Sequence, residues 1–236
     1  MTHLQRSFHK WICLNRFELK KRGDAEVTQI VLEHGTDQHL KPIAAIYRDA
    51  FPESVQLFFS GKDPVKLLRL LTNAFTFLYL TGARIMVARK SNSDQVLGYC
   101  VYTSPKNCWK RTSLLVKNLG KILKLALALL RDLHLSELAR LAANSVTMGV
   151  HTRVQQKLPR RCSQIASIAV HPACQGQGIG KALFTRVLND LAKENVRLNV
   201  RPYNKPALHL YENSGFTACG STKDLQGPWL MMIRRA

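Results

Sequence analysis

The chain is short of acid. Its 236 residues hold 15 Asp+Glu against 35 Lys+Arg, a formal excess of +20. Nine prolines and 13 glycines are too few for a collagenous or linker-like chain. Its six cysteines, Cys13, Cys100, Cys108, Cys162, Cys174 and Cys219, show no CxxC spacing, so no zinc or other metal site is suggested. No window offers the ~20 mostly apolar residues of a spanning helix. The uncharged stretch between Arg69 and Arg84 is too short and contains Asn73. The basic start lacks the apolar core of about 7–15 residues that marks a secretory signal. A reducing cytoplasm with free thiols is therefore the expectation, with peripheral attachment to a membrane left open.

At 46% hydrophobic, the chain has enough apolar surface to build a core, which excludes a disordered protein. The length fits one elaborated domain better than two. A charge of +20 attracts polyanions, and nucleic acid, an anionic membrane and a phosphorylated cofactor all qualify. A nucleic-acid module would interleave aromatics with Lys/Arg. Aromatics are 8% and fall mostly at core-like positions, so no specific nucleic-acid partner is read.

Residues 1–24 carry six Lys/Arg and two acids and read as a basic arm or a short helix, ahead of a domain spanning 25–236. Ala25–Glu33 alternates like a strand. Asp37–Phe51 and Pro64–Leu80 have helical spacing, the latter with Leu67, Leu68, Leu71, Phe75 and Leu78 on one face. Arg84–Arg89 and Gln95–Thr103 read as a hairpin joined through residues 91–94. A strand is expected at Gln164–Val170, a helix at Ile179–Asn195, and strands at Val196–Val200, Phe216–Ser221 and Trp229–Arg234. The order implies an α/β fold, with a mixed central β-sheet flanked by helices.

Residues 106–161 interrupt this pattern between the third and fourth main strands. They hold twelve Lys/Arg and two acids, hence +10 of the +20. Three readings are open: a helical hairpin covering one end of the sheet, a lid presenting positive charge to a phosphorylated acceptor, or an amphipathic contact with an anionic membrane through 110–141. For the last, Lys117, Lys121 and Lys124 stand beside Leu119, Ile122, Leu123, Leu125 and Leu127.

The most informative stretch runs from Ser167 to Leu183. A strand ends at Pro172, glycines follow, and a helix begins. A helix start presents unpaired N–H groups and the positive end of the macrodipole. Glycines permit close approach, which makes an anion cradle suited to a pyrophosphate. A Walker loop is excluded, because Gln175 and Ala182 stand where that pattern needs Gly and Ser/Thr. A dinucleotide fingerprint fits poorly, because Gly176, Gly178 and Gly180 give GxGxG late in the chain.

Gln175-Gly-Gln-Gly178-Ile-Gly180 resembles the [Q/R]-x-x-G-x-[G/A] loop of the GNAT superfamily of N-acetyltransferases. Downstream, Leu210-Tyr-Glu-Asn-Ser-Gly-Phe216 is similar to that family's LYxxxGF signature. The close match covers roughly 163–220, and residues 106–161 depart from a family that usually joins these strands by a short turn. The resemblance implies a single GNAT-type domain and acetyl-CoA, or another acyl-CoA, as donor. The amides of Gln175, Gly176, Gln177, Gly178, Ile179, Gly180 and Lys181 would hold its pyrophosphate. The strand edge at Ile168, Ala169 and Val170 would pair with its pantetheine arm, where the fourth and fifth strands splay. An N–H near Ile168 or Ala169 would face the developing oxyanion. Asn204 would bond the pantetheine, cap the next helix, or both.

The resemblance makes Tyr211 the general acid toward the leaving thiolate; a phenol titrates near about 10 and a thiol near about 8–9. The base is open: Glu53, His171 or an ordered water relay. Cys174 reads as a packing residue, with an acyl-cysteine as the alternative. The implied reaction is direct attack by a primary amine of a small acceptor, neutral or anionic, for example an amino sugar. A strongly cationic protein disfavours polyamines and histone tails. The alternatives are a GNAT-like domain that binds CoA without catalysis and a basic nucleic-acid or membrane-binding module.

Overall fold

In the computed structural model the described residues are 16–19, 28–105 and 108–236. They build one nine-stranded mixed sheet between two layers of helices. The strands are β1 (Arg16–Leu19), β2 (Thr28–His34), β3 (Arg84–Lys90), β4 (Val96–Thr103), β5 (Arg153–Val154), β6 (Ser163–Val170), β7 (Val196–Val200), β8 (Thr217–Asp224) and β9 (Gly227–Arg234). Their order across the sheet is β1-β2-β3-β4-β6-β7-β9-β8-β5. The helices are α1 (Leu40–Ala50), α2 (Pro52–Phe59), α3 (Pro64–Leu80), α4 (Cys108–Lys117), α5 (Leu119–Asp132), α6 (Leu135–His151), α7 (Ile179–Asp190) and α8 (Lys205–Glu212).

Local chemistry sets the helix ends. Asp63 accepts hydrogen bonds from the N–H groups of Val65 and Lys66 at 3.1 and 2.9 Å, and Pro64 opens α3 without wasting a donor. Gly82, at φ 95°, turns the chain after it. Asn204 caps α8 by accepting from the Ala207 N–H at 3.2 Å, the capping role expected of it.

Alternation on the strands feeds two cores. Met86, Ala88, Cys100 and Tyr102 join α7 and α8 on one face. Ile85, Val87, Tyr99 and Val101 join α1 and α3 on the other. The buried residues of α3 are Leu67, Leu70, Leu71 and Phe75, of which Leu67, Leu71 and Phe75 join the core under the sheet, with Leu68 half-buried. Leu78, expected among them, is 41% exposed, and Leu70 takes a place the sequence reading did not assign.

Several expectations are corrected. Arg16–Leu19 is neither arm nor helix. It pairs antiparallel with β2 as an edge strand, so the sheet starts before residue 25. The remainder of 1–24, and residues 25–27 of the expected first strand, lie outside the described residues. Pro52–Phe59 is a helix, and α7 ends at Asp190, not Asn195. Residues 108–151 form three helices, not the two of a helical hairpin, which was one of the three open readings, and the short β5 follows.

Those helices are tethered. Lys62 and Glu137 form a buried pair at 3.0 Å, and Lys62 Nζ also donates to the Asp132 carbonyl. Arg69 grips the Asp132 carboxylate with two bonds of 3.0 and 2.8 Å. Arg140 donates to the Leu57 carbonyl. At the far side, Asn144 Oδ1 accepts from the Leu225 N–H, and Thr222 Oγ1 donates to the Met148 carbonyl. Helix α6 thus crosses from the α2–α3 layer to β8.

Candidate active site

The site begins where β6 and β7 part. They pair in parallel only at Ser163–Val196 and Gln164–Arg197. Beyond those pairs β6 continues to Val170 and β7 to Val200 without a ladder between them. Against β4, Val101 pairs with Ser167 but Tyr102 with Ile165, which leaves Ala166 as a bulge on β6. A bulge bends its strand and adds local twist, which turns the end of β6 away from β7. Ser163 and Ser104 both donate to the buried Glu194 carboxylate, anchoring the closed end of the wedge.

The wedge exposes particular backbone groups. His171 N–H donates to the Leu97 carbonyl at 2.8 Å, which makes the Leu97–His171 pair hydrogen-bonded. Antiparallel pairs alternate, so Gly98–Val170 and Cys100–Ile168 are the non-bonded ones. The N–H and C=O groups of Ile168 and Val170 therefore face the gap. Those of Ala169 face β4 and are used in the ladder with Tyr99, so of the three strand residues singled out, Ala169 contributes no free backbone group.

At the mouth of the wedge the chain makes the glycine turn. Gly176 and Gly178 adopt φ of 77° and 82°, the left-handed region that favours glycine. A Cβ on Gly176 would meet nothing within 4 Å, so the turn lies open on that side. Gln175 Nε2 braces the turn by donating to the Val170 carbonyl at 3.1 Å. Gly178 is the N-cap of α7 and has no side-chain cap. The Ala182 N–H makes the first helical bond, to the Gly178 carbonyl. The N–H groups of Ile179, Gly180 and Lys181 are left without helical acceptors, and no acid lies in the first turn. This chemistry fits a diphosphate, as it would a coenzyme A arm running from the turn along Ile168 and Val170.

Tyr211, on α8, is buried against Phe184 and Phe216, with ring centroids 4.9 and 6.1 Å away. Its hydroxyl makes no hydrogen bond among the described residues. Burial, with the nearby Cys100 thiol, pushes its pKa above the ordinary phenol value, so it stays protonated at physiological pH.

The opposite face of the sheet carries groups that the sequence reading did not single out. Tyr99 is fully buried, and its hydroxyl shares a 3.0 Å hydrogen bond with Ser167 on the widening part of β6. Burial pushes Tyr99 far above the usual phenol value, so the pair can pass a proton but cannot be a standing base. Past the end of β7, Arg201 binds the Asp224 carboxylate with two bonds of 2.9 Å, donates to Gln226 Oε1, and stacks 3.8 Å above the Trp229 ring. Trp229 Nε1 donates to the same carboxylate, and Ser54 of α2 donates to Gln226. Burial raises the Asp224 pKa, but the hydrogen bonds from Arg201 and Trp229 and the Arg201 charge outweigh it and hold the carboxyl below its ordinary range. Nothing local in the sequence marks this cluster, because its members come from the segment after β7, from the β8–β9 hairpin and from α2.

Under α6 a cavity of about 190 Å³ is lined by Gln164, Arg197, Asn199, Thr222, Met148 and Met231, among others. Its wall has one cation and no carboxylate. Of the candidates for the base, Glu53 is exposed at the start of α2. His171 accepts from the Ala173 N–H at 3.3 Å as a turn residue. Cys174 packs half-buried on the core beside α7, as a packing residue does. Among the described residues no group of His, Cys, Asp and Glu could hold a metal ion.

The anion-binding turn where β6 and β7 part is the feature a diphosphate-bearing donor would use. The model of the acetyltransferase (GNAT) family matches residues 45–216, most of the chain, and the protein belongs to that family. Solved structures agree in fold. One is described as a histone acetyltransferase HPA2 and related acetyltransferase from Corynebacterium glutamicum. It is 17% identical with a TM-score of 0.55, covering 87% of this chain and 96% of its own. An N-acetyltransferase from Staphylococcus aureus is 17% identical with a TM-score of 0.55, covering 86% and 99%. The yncA acetyltransferase from Salmonella typhimurium, solved with its cofactor acetyl-CoA, is 14% identical with a TM-score of 0.51, covering 87% and 93%. No curated protein matches the sequence significantly.

Proposed function

We propose that this enzyme transfers the acetyl group of acetyl-CoA to a primary amine of a small acceptor, neutral or anionic, by direct attack in a ternary complex. The observation that carries the reading is the wedge between β6 and β7 with an anion-binding turn at its mouth; a carboxylate-free cavity lies at its closed end, where Gln164 and Arg197 pair.

Acetyl-CoA supplies an activated thioester when bound. The amides of Gly176–Lys181 would hold its diphosphate, that of Gln175, also expected there, being used by the Pro172 carbonyl, and the Ile168 and Val170 backbone would align its arm. The free N–H at Ile168 is the donor suited to the carbonyl oxygen, a backbone dipole fixed before the reaction begins. Tyr211 gives its proton to the leaving sulfur. Its raised pKa makes the transfer harder than from a free phenol, but burial desolvates the thiolate as well and makes it a stronger acceptor. The amine sheds its proton through water, with the Tyr99–Ser167 hydroxyl pair as a relay into the wedge.

Charge supports the acceptor class. The cavity wall has Arg197 but no carboxylate, and Asp224 is already neutralised by Arg201. A cationic acceptor finds no partner there, whereas the hydroxyls of an amino sugar, or an anionic group attached to it, do.

Thiol release from acetyl-CoA should be measured across free amino sugars, nucleotide-linked amino sugars, peptides and polyamines. Fastest turnover on an amino sugar is expected. Fastest turnover on spermidine or a histone peptide overturns the acceptor class. No release with any amine overturns the transferase assignment for this chain.

A further inference from the structure

We infer that α5 is a docking surface for an anionic lipid bilayer, on which the protein lies without crossing. Leu119, Leu123, Leu127 and Leu130 recur at helical spacing and fall within an arc of ~80° at about 100° per residue. Inside a globular protein such a stripe is buried. Here the four are 63, 60, 60 and 55% exposed. Val116 near the end of α4 and Leu135 at the start of α6 are 76 and 86% exposed.

The stripe is held outward. Helix α5 packs on α3, with Ile122, Leu125, Ala126 and Leu129 half-buried. At its end Asp132 is clasped by Arg69 and its carbonyl by Lys62. The helix cannot roll its leucines inward without breaking those bonds.

Charge selects the occupant. Lys121 and Lys124 are exposed on the helix, Arg131 follows, and seven Lys/Arg with no Asp/Glu lie between residues 106 and 131. A second copy across a twofold axis would set these cations against themselves, with no acid in the segment to pair them. Nucleic acid would satisfy the lysines but leave the leucines in water. A bilayer surface with anionic headgroups takes both: leucines enter the acyl boundary and lysines remain among the phosphates. No helix among the described residues is long and apolar enough to cross a membrane, consistent with lying on one.

The test is co-sedimentation of the full chain with phosphatidylcholine vesicles, with and without about 30% phosphatidylserine. Binding to the anionic vesicles at least tenfold stronger than to the neutral ones is expected. Because +20 alone draws the chain to anionic lipid, the discriminating variant keeps charge constant. Leu123→Gln with Leu127→Gln should weaken binding at least tenfold with an unchanged melting temperature. Lys121→Gln with Lys124→Gln should reduce the preference for anionic over neutral vesicles several-fold. Equal binding by the leucine variant means attraction by charge alone and overturns the proposal, as does absence of binding. A dimer in sedimentation equilibrium that the leucine variant abolishes also overturns it, by assigning the stripe to a second copy.

Discussion

The two faces of the wedge are built from different materials. On the proposed donor face the turn at 175–181 and the strand edge at Ile168 and Val170 present backbone groups, placed by two left-handed glycines and one bulge. On the proposed acceptor face the polar groups are side chains: Tyr99, Ser167, Asn199 and Asp224 from four strands, and Arg201 just past β7. A backbone site survives most side-chain substitutions, whereas a side-chain site can be rewritten one residue at a time.

If that contrast holds, single side chains should matter more on the acceptor face. The largest effect is expected from Arg201→Met, which leaves Asp224 buried without its cation. The loss should be about 3–5 kcal/mol of stability, read as a fall in melting temperature. The same pair sets an acid limit. Asp224 has a depressed pKa when folded, so its contribution is complete above about pH 4, the ordinary carboxylate value. That contribution is lost as pH falls through the folded value, and Asp224→Asn should flatten this part of the acid-unfolding curve.

On the donor face, Gly178→Asp puts an anion in the phosphate cradle at a left-handed position that Asp tolerates. CoA affinity by calorimetry should fall on the order of 1,000-fold, with little change in melting temperature. Tyr211→Phe should lower turnover about 100-fold and leave CoA affinity intact. In the parent protein, the raised pKa of Tyr211 predicts no loss of the acid below pH about 10 in the rate profile. The smallest effect belongs to Gln175→Ala. It removes a brace of the turn but none of the amides, and should cost only about 0.5–1.5 kcal/mol of CoA binding. A larger loss would mean that this side chain itself holds the diphosphate, and would erase the contrast.

The same contrast explains what could be read in advance. Helix α3 is legible to its ends because Asp63, Pro64 and Gly82 are local signals acting on the residues beside them. The glycine turn, the Asn204 cap and the strand Val196–Val200 are legible for the same reason. The Arg201–Asp224–Trp229 cluster is not: each member is ordinary in its own segment, and only the sheet order brings them together. Nor is the exposure of α5. Its leucines have the spacing of a buried face, and only the tethers through Asp132 and Glu137 decide which side of the helix meets α3. Leu70 and Leu78 were misassigned for a related cause, since a helix rich in leucine offers more than one apolar stripe and the packing partner chooses.

Helix α6 has a consequence for motion. The sheet is laced across the wedge by two residue pairs only, so it consists of two plates, one ending at β6 and the other starting at β7. The helix is fastened to the α2–α3 layer that packs on the first plate, through Glu137 and Arg140, and to the second plate through Asn144 and Met148. It works as a buckle: prising the plates apart strains its fastenings, and a molecule seated along the seam relieves them of load. Heat resistance of this enzyme should then climb with the logarithm of the concentration of whatever fills the seam.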